Sequence, residues 1–160
     1  MPRLEHLPDM KRNEMLTFPA QVNRATPWTW PARPLREARV ALVTSAGLHH
    51  RGDPPFVTNH HDPDSSYRRL PSNTAAGEIL QSHTSAGFDR SGIQRDLNTT
   101  YPVDRLRELL ERGAIGSLAD TFYSFMGALR KVERLERESA PAVAELLRQD
   151  GVEVVLITPT

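Results

Sequence analysis

The residues of this chain best equipped for chemistry lie between positions 44 and 90 and at its last few positions. His49-His50, Asp53, His60-His61, Asp62 and Asp64 form the densest run of metal-ligand types. Neutral imidazoles with carboxylates suit zinc or iron. Their spacing matches no established metal signature, and adjacent histidines on a loop point apart, so a solvated polar loop is the preferred reading and a metal at His49, His50, His60 and His61 the alternative. His83, inside Ser82-His83-Thr84 at the end of a weak strand pattern, is the histidine best placed for a role in a crevice, against a hydrogen-bonded structural role. Ser82, His83 and Asp89 supply the residue types of a hydrolytic triad, but no Gly-x-Ser-x-Gly turn accompanies them. Arg51, Arg68 or Arg90 could hold a carboxylate in a two-pronged hydrogen bond, and Arg68 beside Tyr67 is the best of the three. Gly47 followed by Gly52 has neither the Gly-Lys-Ser/Thr of a phosphate loop nor a Gly-x-Gly-x-x-Gly, which disfavours nucleotide binding.

Composition narrows the field further. The 160 residues carry 20 basic and 20 acidic side chains, so no basic footprint marks a polyanion partner, and nucleic acid is not expected. There is no cysteine, hence no disulfide framework, cysteine zinc site, iron-sulfur cluster or thiolate nucleophile among these residues. Apolar runs such as Val154–Ile157 fall far short of the about 20 residues a membrane helix needs. The N-terminal residues lack the apolar core of a secretory signal, so a cytoplasmic protein without a membrane partner is expected.

These groups must be held by a scaffold, and the pattern supplies one. Residues 1–37, with six prolines around Trp28 and Trp30, read as an extended arm whose tryptophans pack on the chain's own core. Residues 38–160 read as an α/β domain. Val40-Ala41-Leu42-Val43 is a strand buried on both faces. Residues 48–77 read as one long loop, Glu78–Thr84 as a weak strand, and 85–98 as turns. A helix starts at Pro102, buries Val103, Leu106, Leu109 and Leu110, and stops at Gly113. Ile115–Met126 is strand-like, and Arg130–Glu138 is a solvated helix face with Val132 and Leu135 turned inward. A second helix runs from Ser139 or Pro141 to Gly151, and Val152–Ile157 forms a second buried-type strand. Strand, crossover helix and strand predict a three-layer α/β sandwich with a mostly parallel sheet. In such sheets ligands gather beyond the carboxyl ends of the strands, where Thr44, Gly47, Thr158 and Thr160 fall. Because β-type apolar residues face both sides at the last strand, the domain is expected to be incomplete there, covered by another subunit or by further chain.

The ordered set Val40–Gly47, Arg51-Gly52-Asp53, Pro55-Phe56, Ser66-Tyr67-Arg68, Ser82-His83-Thr84, Asp96-Leu97-Asn98, Pro102–Leu106, Gly116-Ser117, Tyr123–Gly127 and Gly151–Pro159 resembles the selenoprotein B family of glycine, sarcosine, betaine and D-proline reductases. The likeness runs from about Arg39 to Thr160. It implies a reductase component that cleaves a carbon–nitrogen bond of a small amino-acid-like substrate. In that family a strand ending in Thr-Pro leads to a redox-active selenocysteine or cysteine, which attacks the substrate carbon and displaces the amine. The substrate is held there as an adduct of a carbonyl cofactor on partner subunits.

Carried onto this sequence, the resemblance makes Thr158–Thr160 the presenting loop and puts the redox residue just after Thr160, with no cofactor inside the 160 residues. It makes His83, Arg68, Tyr67, Thr44 and Gly47 candidates for substrate contact. The expected partners are other reductase subunits or a second copy of the chain. The expectation is then an N-terminal part of a longer selenoprotein, inactive by itself. The competing expectation is a non-catalytic binding or assembly module that lacks the redox residue.

Overall fold

A computed structural model describes residues 3–17, 29–59, 61–85, 88 and 90–160. Its centre is a five-stranded sheet. The apolar run at Val40 forms β1 (Arg39–Thr44), in which Val40, Ala41, Leu42 and Thr44 are all buried. A short strand, β2 (Leu48–His50), follows, then β3 (Tyr67–Pro71) and β4 (Ile79–Gln81). Later in the chain come β5 (Ser117–Leu118), β6 (Thr121–Phe125) and β7 (Val154–Thr158). β1 lies parallel to β5 and β6 along one edge and to β7 along the other, with Val40 to Thr44 in register with Val154 to Thr158. β3 runs antiparallel on the outside of β6, and β2 pairs antiparallel with β4 in a separate two-stranded ladder.

Four α-helices occur among the described residues: α1 (Asp9–Thr17), α2 (Ser91–Arg95), α3 (Val103–Glu111) and α4 (Ala140–Gln149). Period-two alternation assigns the sheet faces. Val43, Phe125, Val155 and Ile157 are on the face turned toward Val143 and Leu147 of α4, with which they line one groove, whereas Phe122 stacks edge-on with Tyr101, just ahead of α3, at 6.1 Å. A helix therefore covers each face, and the α/β class with a mostly parallel sheet is what the structure shows. Apolar burial at Leu42, Leu70, Tyr101, Leu106, Phe122 and Val143 holds the layers together. At the amino end of β1, Arg39 donates to Asp120 at 3.1 Å and to Asp150 at 2.7 Å, which ties the strand to the end of α4.

The charged run ahead of α4 is helical from Glu133 and passes through a π-helical turn, Leu135–Ser139. Pro141 explains the wide turn: it has no N–H to give and its ring would collide with the carbonyl four residues back, so the backbone takes an extra residue per turn there.

Several expectations need correction. The stretch 48–77 is not one loop: it holds β2 and β3. The strand expected over Glu78–Thr84 is confined to Ile79–Gln81, and the turns of 85–98 include α2. Within the expected extended arm, Asp9–Thr17 form a helix. Trp30 is 79% exposed and does not pack in the core, while Trp28 lies outside the described residues. Leu109 and Leu110 are 38% and 37% exposed, so α3 buries chiefly Val103 and Leu106. Among the described residues β7 is an edge strand, with Leu156 39% and Ile157 65% exposed.

Candidate functional site

The candidate site lies at the carboxyl ends of β1, β6 and β7, where the chain leaves the sheet three times close together. Beyond β1, Ala46 bridges to Met126, and Gly47 donates its N–H to the Phe125 carbonyl at 2.9 Å. Gly47 then turns the chain onto the β4 side, accepting from the Ser82 N–H at 2.8 Å. Its φ is +66°, and a Cβ here would stand 2.1 Å from the Ser82 carbonyl oxygen, so only glycine fits. This close approach sets His83 beside the strand ends.

His83 is 3% exposed. Its ring stacks on Phe88 at 4.7 Å, and its Nδ1 accepts the Ser85 N–H at 3.1 Å. An accepting Nδ1 carries no proton, which places the proton of the neutral ring on Nε2. Nε2 is buried and has no hydrogen-bond partner among the described residues. Burial first, and then the positive charge of Arg90, push the imidazole below its ordinary pKa of 6.5. Arg90 itself donates to the His83 carbonyl at 2.9 Å.

The strand end from β7 is pinned against this histidine. Ser45 donates its N–H to the Thr158 carbonyl at 3.2 Å, and Thr160 donates its N–H to the Ser45 hydroxyl at 2.9 Å. Gly127, just past β6, makes the crowding visible. A Cβ on it would lie 2.9 Å from each of the Ser45 and Thr160 carbonyl oxygens and 3.0 Å from His83 Nε2. Thr44 and Thr158 both donate their hydroxyls to the Thr100 carbonyl, at 3.0 and 2.8 Å, so they brace the strand ends against the segment before α3.

The structure thus brings together His83, Thr44, Gly47, Thr158 and Thr160. It also shows two participants, Ser45 and Gly127, that sequence reasoning did not single out. Both directly follow an apolar strand run, which is where a parallel sheet presents ligands, and that position was the available signal.

Tyr67 and Arg68 stand at the same end of the sheet, in register with Phe125 and Ser124, but are occupied otherwise. Tyr67 packs edge-on against Tyr123 at 5.9 Å. The Arg68 guanidinium donates to the carbonyls of Pro54 and Pro55, to Ser66 and to Asp64, and lies 4.1 Å over the Phe56 ring. It fastens the 54–66 segment to β3. Burial would raise the Asp64 carboxyl, but hydrogen bonds from Ser66 and Val57 and the charge of Arg68 outweigh it and hold the group below its ordinary 3.8.

The remaining candidates do not converge. His49 is buried and turned inward, with Nδ1 donating to the His50 carbonyl at 3.1 Å and Nε2 3.0 Å from the Ser82 hydroxyl. Ser82 is therefore partnered by His49, away from any arrangement with His83, and Asp89 lies outside the described residues. His50 faces the other way, into a polar cleft of about 580 Å³ shared with Asp53, Arg69 and Glu78. His61 is exposed and His60 lies outside the described residues. No group of three or more metal-ligating side chains gathers among the described residues. Arg51 is engaged with the Gly77 carbonyl at 2.9 Å.

Two hollows flank these elements. The polar cleft is the larger, but it sits where Pro71 pairs with Thr121, at the amino end of β6, away from the converging strand ends. The smaller, an apolar groove of about 370 Å³, opens between α4 and the sheet and reaches Thr44, Ser45 and Met126 at the site itself. None of the described helices is long and apolar enough to cross a membrane.

Comparison with known proteins identifies the family. Residues 9–160 match the family model for glycine/sarcosine/betaine reductase selenoprotein B (GRDB). The chain is 33% identical over 131 residues to the D-proline reductase subunit gamma of Acetoanaerobium sticklandii, which covers 82% of this chain and 52% of that protein. It is 31% identical over 132 residues to the glycine reductase complex component B subunit gamma of Symbiobacterium thermophilum, covering 81% and 30% respectively. With the sarcosine reductase complex component B subunit beta of Peptoclostridium acidaminophilum it shares 27% identity over 150 residues, or 89% and 33%. The match thus spans about half the length of the first of these relatives and about a third of the others. No solved structure matches the chain. The chain belongs to the glycine/sarcosine/betaine reductase selenoprotein B family.

Proposed function

We propose that this chain is the strand-presenting part of a selenocysteine- or cysteine-dependent reductase component that cleaves a carbon–nitrogen bond of glycine, sarcosine, betaine, D-proline or a similar small substrate. The redox residue follows Thr160 in the full-length product. The observation that carries the reading is the pinning of Thr158–Thr160: two hydrogen bonds with Ser45 hold the end of β7 near the buried Nε2 of His83, which has no partner among the described residues.

A chalcogen there supplies the electron pair that attacks the substrate carbon, while the C–N bond breaks toward nitrogen and the amine leaves with a proton. The chain's own residues do the positioning. Thr44 and Thr158 fix the height of the strand ends through Thr100, Gly47 folds His83 in beside them, and Gly127 keeps the space between His83 and Thr160 free of a side chain. Burial around His83 excludes water, which strengthens any hydrogen bond made there. Tyr67 and Arg68, at the same end of the sheet, act as supports: Arg68 holds the 54–66 segment through Pro54, Pro55, Ser66 and Asp64, and Tyr67 packs on Tyr123.

The partners are other subunits of a reductase complex, in keeping with the names of the relatives. Alkylation of the full-length product with iodoacetamide, followed by peptide mass mapping, tests the assignment. The reading requires a labelled selenium or sulfur immediately after Thr160; an unreactive residue at that position removes it.

A further inference from the structure

We propose that the Nε2–H of His83 is the hydrogen-bond donor that holds the redox chalcogen following Thr160 in its anionic form, which makes His83 a catalytic residue of the reductase site. The inference rests on the reading above and adds to it the identity of the group that sets the nucleophile's ionisation.

Three observations meet at this atom. The Ser85 N–H occupies Nδ1 and so commits the neutral ring to a proton on Nε2. Nε2 is buried in a residue only 3% exposed, and no described residue accepts from it. A buried donor left unpaired costs free energy, so its retention calls for an acceptor that belongs there. The third observation says where that acceptor is. The point 3.0 Å from Nε2 where a Gly127 Cβ would stand is also 2.9 Å from the Thr160 backbone oxygen, so the donor and the end of β7 border the same small space.

The environment favours a neutral donor over an imidazolium. Arg90 is the charged group acting on the ring among the described residues, and it already carries the positive charge, lodged on the His83 carbonyl. The Ser45 oxygen beside the ring is an uncharged peptide carbonyl, and the Thr160 oxygen becomes one in the full-length product that the reading requires. This differs from a thiolate–imidazolium pair, in which the histidine gains the proton that the nucleophile loses. Here the chalcogen's proton goes to solvent, and the Nε2–H only solvates the anion left behind.

The test is the pH dependence of iodoacetamide alkylation in the full-length gene product, comparing His83 with His83→Phe and His83→Gln. Phenylalanine keeps the stack on Phe88 and removes the donor; glutamine restores an N–H near the Nε2 position. A hydrogen bond to an ionised group predicts that the midpoint of alkylation rises by about one pH unit in His83→Phe. It predicts that His83→Gln recovers most of that shift, with one sigmoidal step in each protein. Circular dichroism melting confirms that each variant is folded, and nitrogen-15 correlation spectra of the unsubstituted protein should show the proton on Nε2. A reactive chalcogen with the same midpoint in all three proteins, or a proton found on Nδ1, overturns this inference and leaves the reductase reading standing. Absence of any reactive chalcogen after Thr160 overturns the reductase reading itself.

Discussion

The Thr160 N–H donates to the Ser45 hydroxyl at 2.9 Å, joining the last strand of the sheet to the residue that follows its first. Ser45 returns the contact through its own N–H to the Thr158 carbonyl at 3.2 Å. This pair of bonds continues the parallel register of β1 and β7 past the point where side-chain packing could hold it, because Ile157 is 65% exposed. Ser45→Ala should remove the first bond and keep the second. We expect a loss of about 1 kcal/mol in a urea titration. Faster amide exchange should appear at Thr160 and leave Val155 unchanged; equal acceleration along the whole of β7 would show that the bond holds more than the strand end.

Glycine substitutions at the site should rank in a fixed order. Gly47→Ala meets both a positive φ and a backbone oxygen at 2.1 Å, whereas Gly127→Ala meets two backbone oxygens at 2.9 Å and the His83 ring at 3.0 Å. Overpacking of the second kind costs about 1–3 kcal/mol. The first should exceed it, since backbone strain adds to the collision. Denaturant midpoints of the two variants decide the order, and a milder effect at Gly47 would contradict the turn described here.

Acid should destabilise the fold through His83. Its folded pKa lies below 6.5, because burial and then Arg90 oppose the charged form, while the unfolded chain titrates near the ordinary value. The unfolded state therefore takes up the proton first. The contribution to stability is complete above the unfolded value and is lost as the pH falls from there through the folded one. Subtracting the stability curve of His83→Phe from that of the unsubstituted protein should isolate a slope confined to pH below about 6.5. A flat difference would show that the ring is not buried in the neutral form.

The Asp64–Arg68 contact should hold the 54–66 segment to β3. Asp64 accepts from the Val57 and Ser66 N–H groups and from Arg68, and the ion pair is only 15% and 11% exposed. Asp64→Asn keeps the shape but loses the charge and one acceptor. About 2 kcal/mol of stability should go with it. Because the folded carboxyl lies below 3.8, its contribution is present above that value and disappears as the pH drops through the folded pKa. The asparagine variant should lack this last acid-induced loss, as read from melting temperatures between pH 5 and pH 2.

Legibility of the fold followed the range of the interactions that make each element. β1 announces itself as Val40–Val43, since a strand buried between two helical layers needs apolar residues at every position, and the similar run Val154–Ile157 marks β7, although β7 lies at the edge of the described sheet with Ile157 exposed. α3 and α4 are written in local spacing and in the glycines that follow them. β3 was hidden. Tyr67-Arg68-Arg69-Leu70-Pro71 buries only Leu70 fully, and its partner β6 lies about fifty residues away, so no local period betrays it. The site divides in the same way. His83, Thr44, Gly47 and Thr158 were recognisable from their blocks, whereas the role of Gly127 depends on a convergence of three chain segments that no window of sequence contains. Arg68 had the right type and the right end of the sheet, but its guanidinium is taken up by Pro54, Pro55, Ser66 and Asp64, partners that only the folded chain brings within reach.

The most direct test of the central claim is to read the gene through the codon after Thr160 and to weigh its product by intact mass spectrometry from cells supplied with selenium. A UGA codon followed by a long open frame, with selenium's isotope pattern in the purified protein, or a cysteine codon at the same place, is the predicted result. Any other residue or an ordinary terminator at that codon would contradict the account.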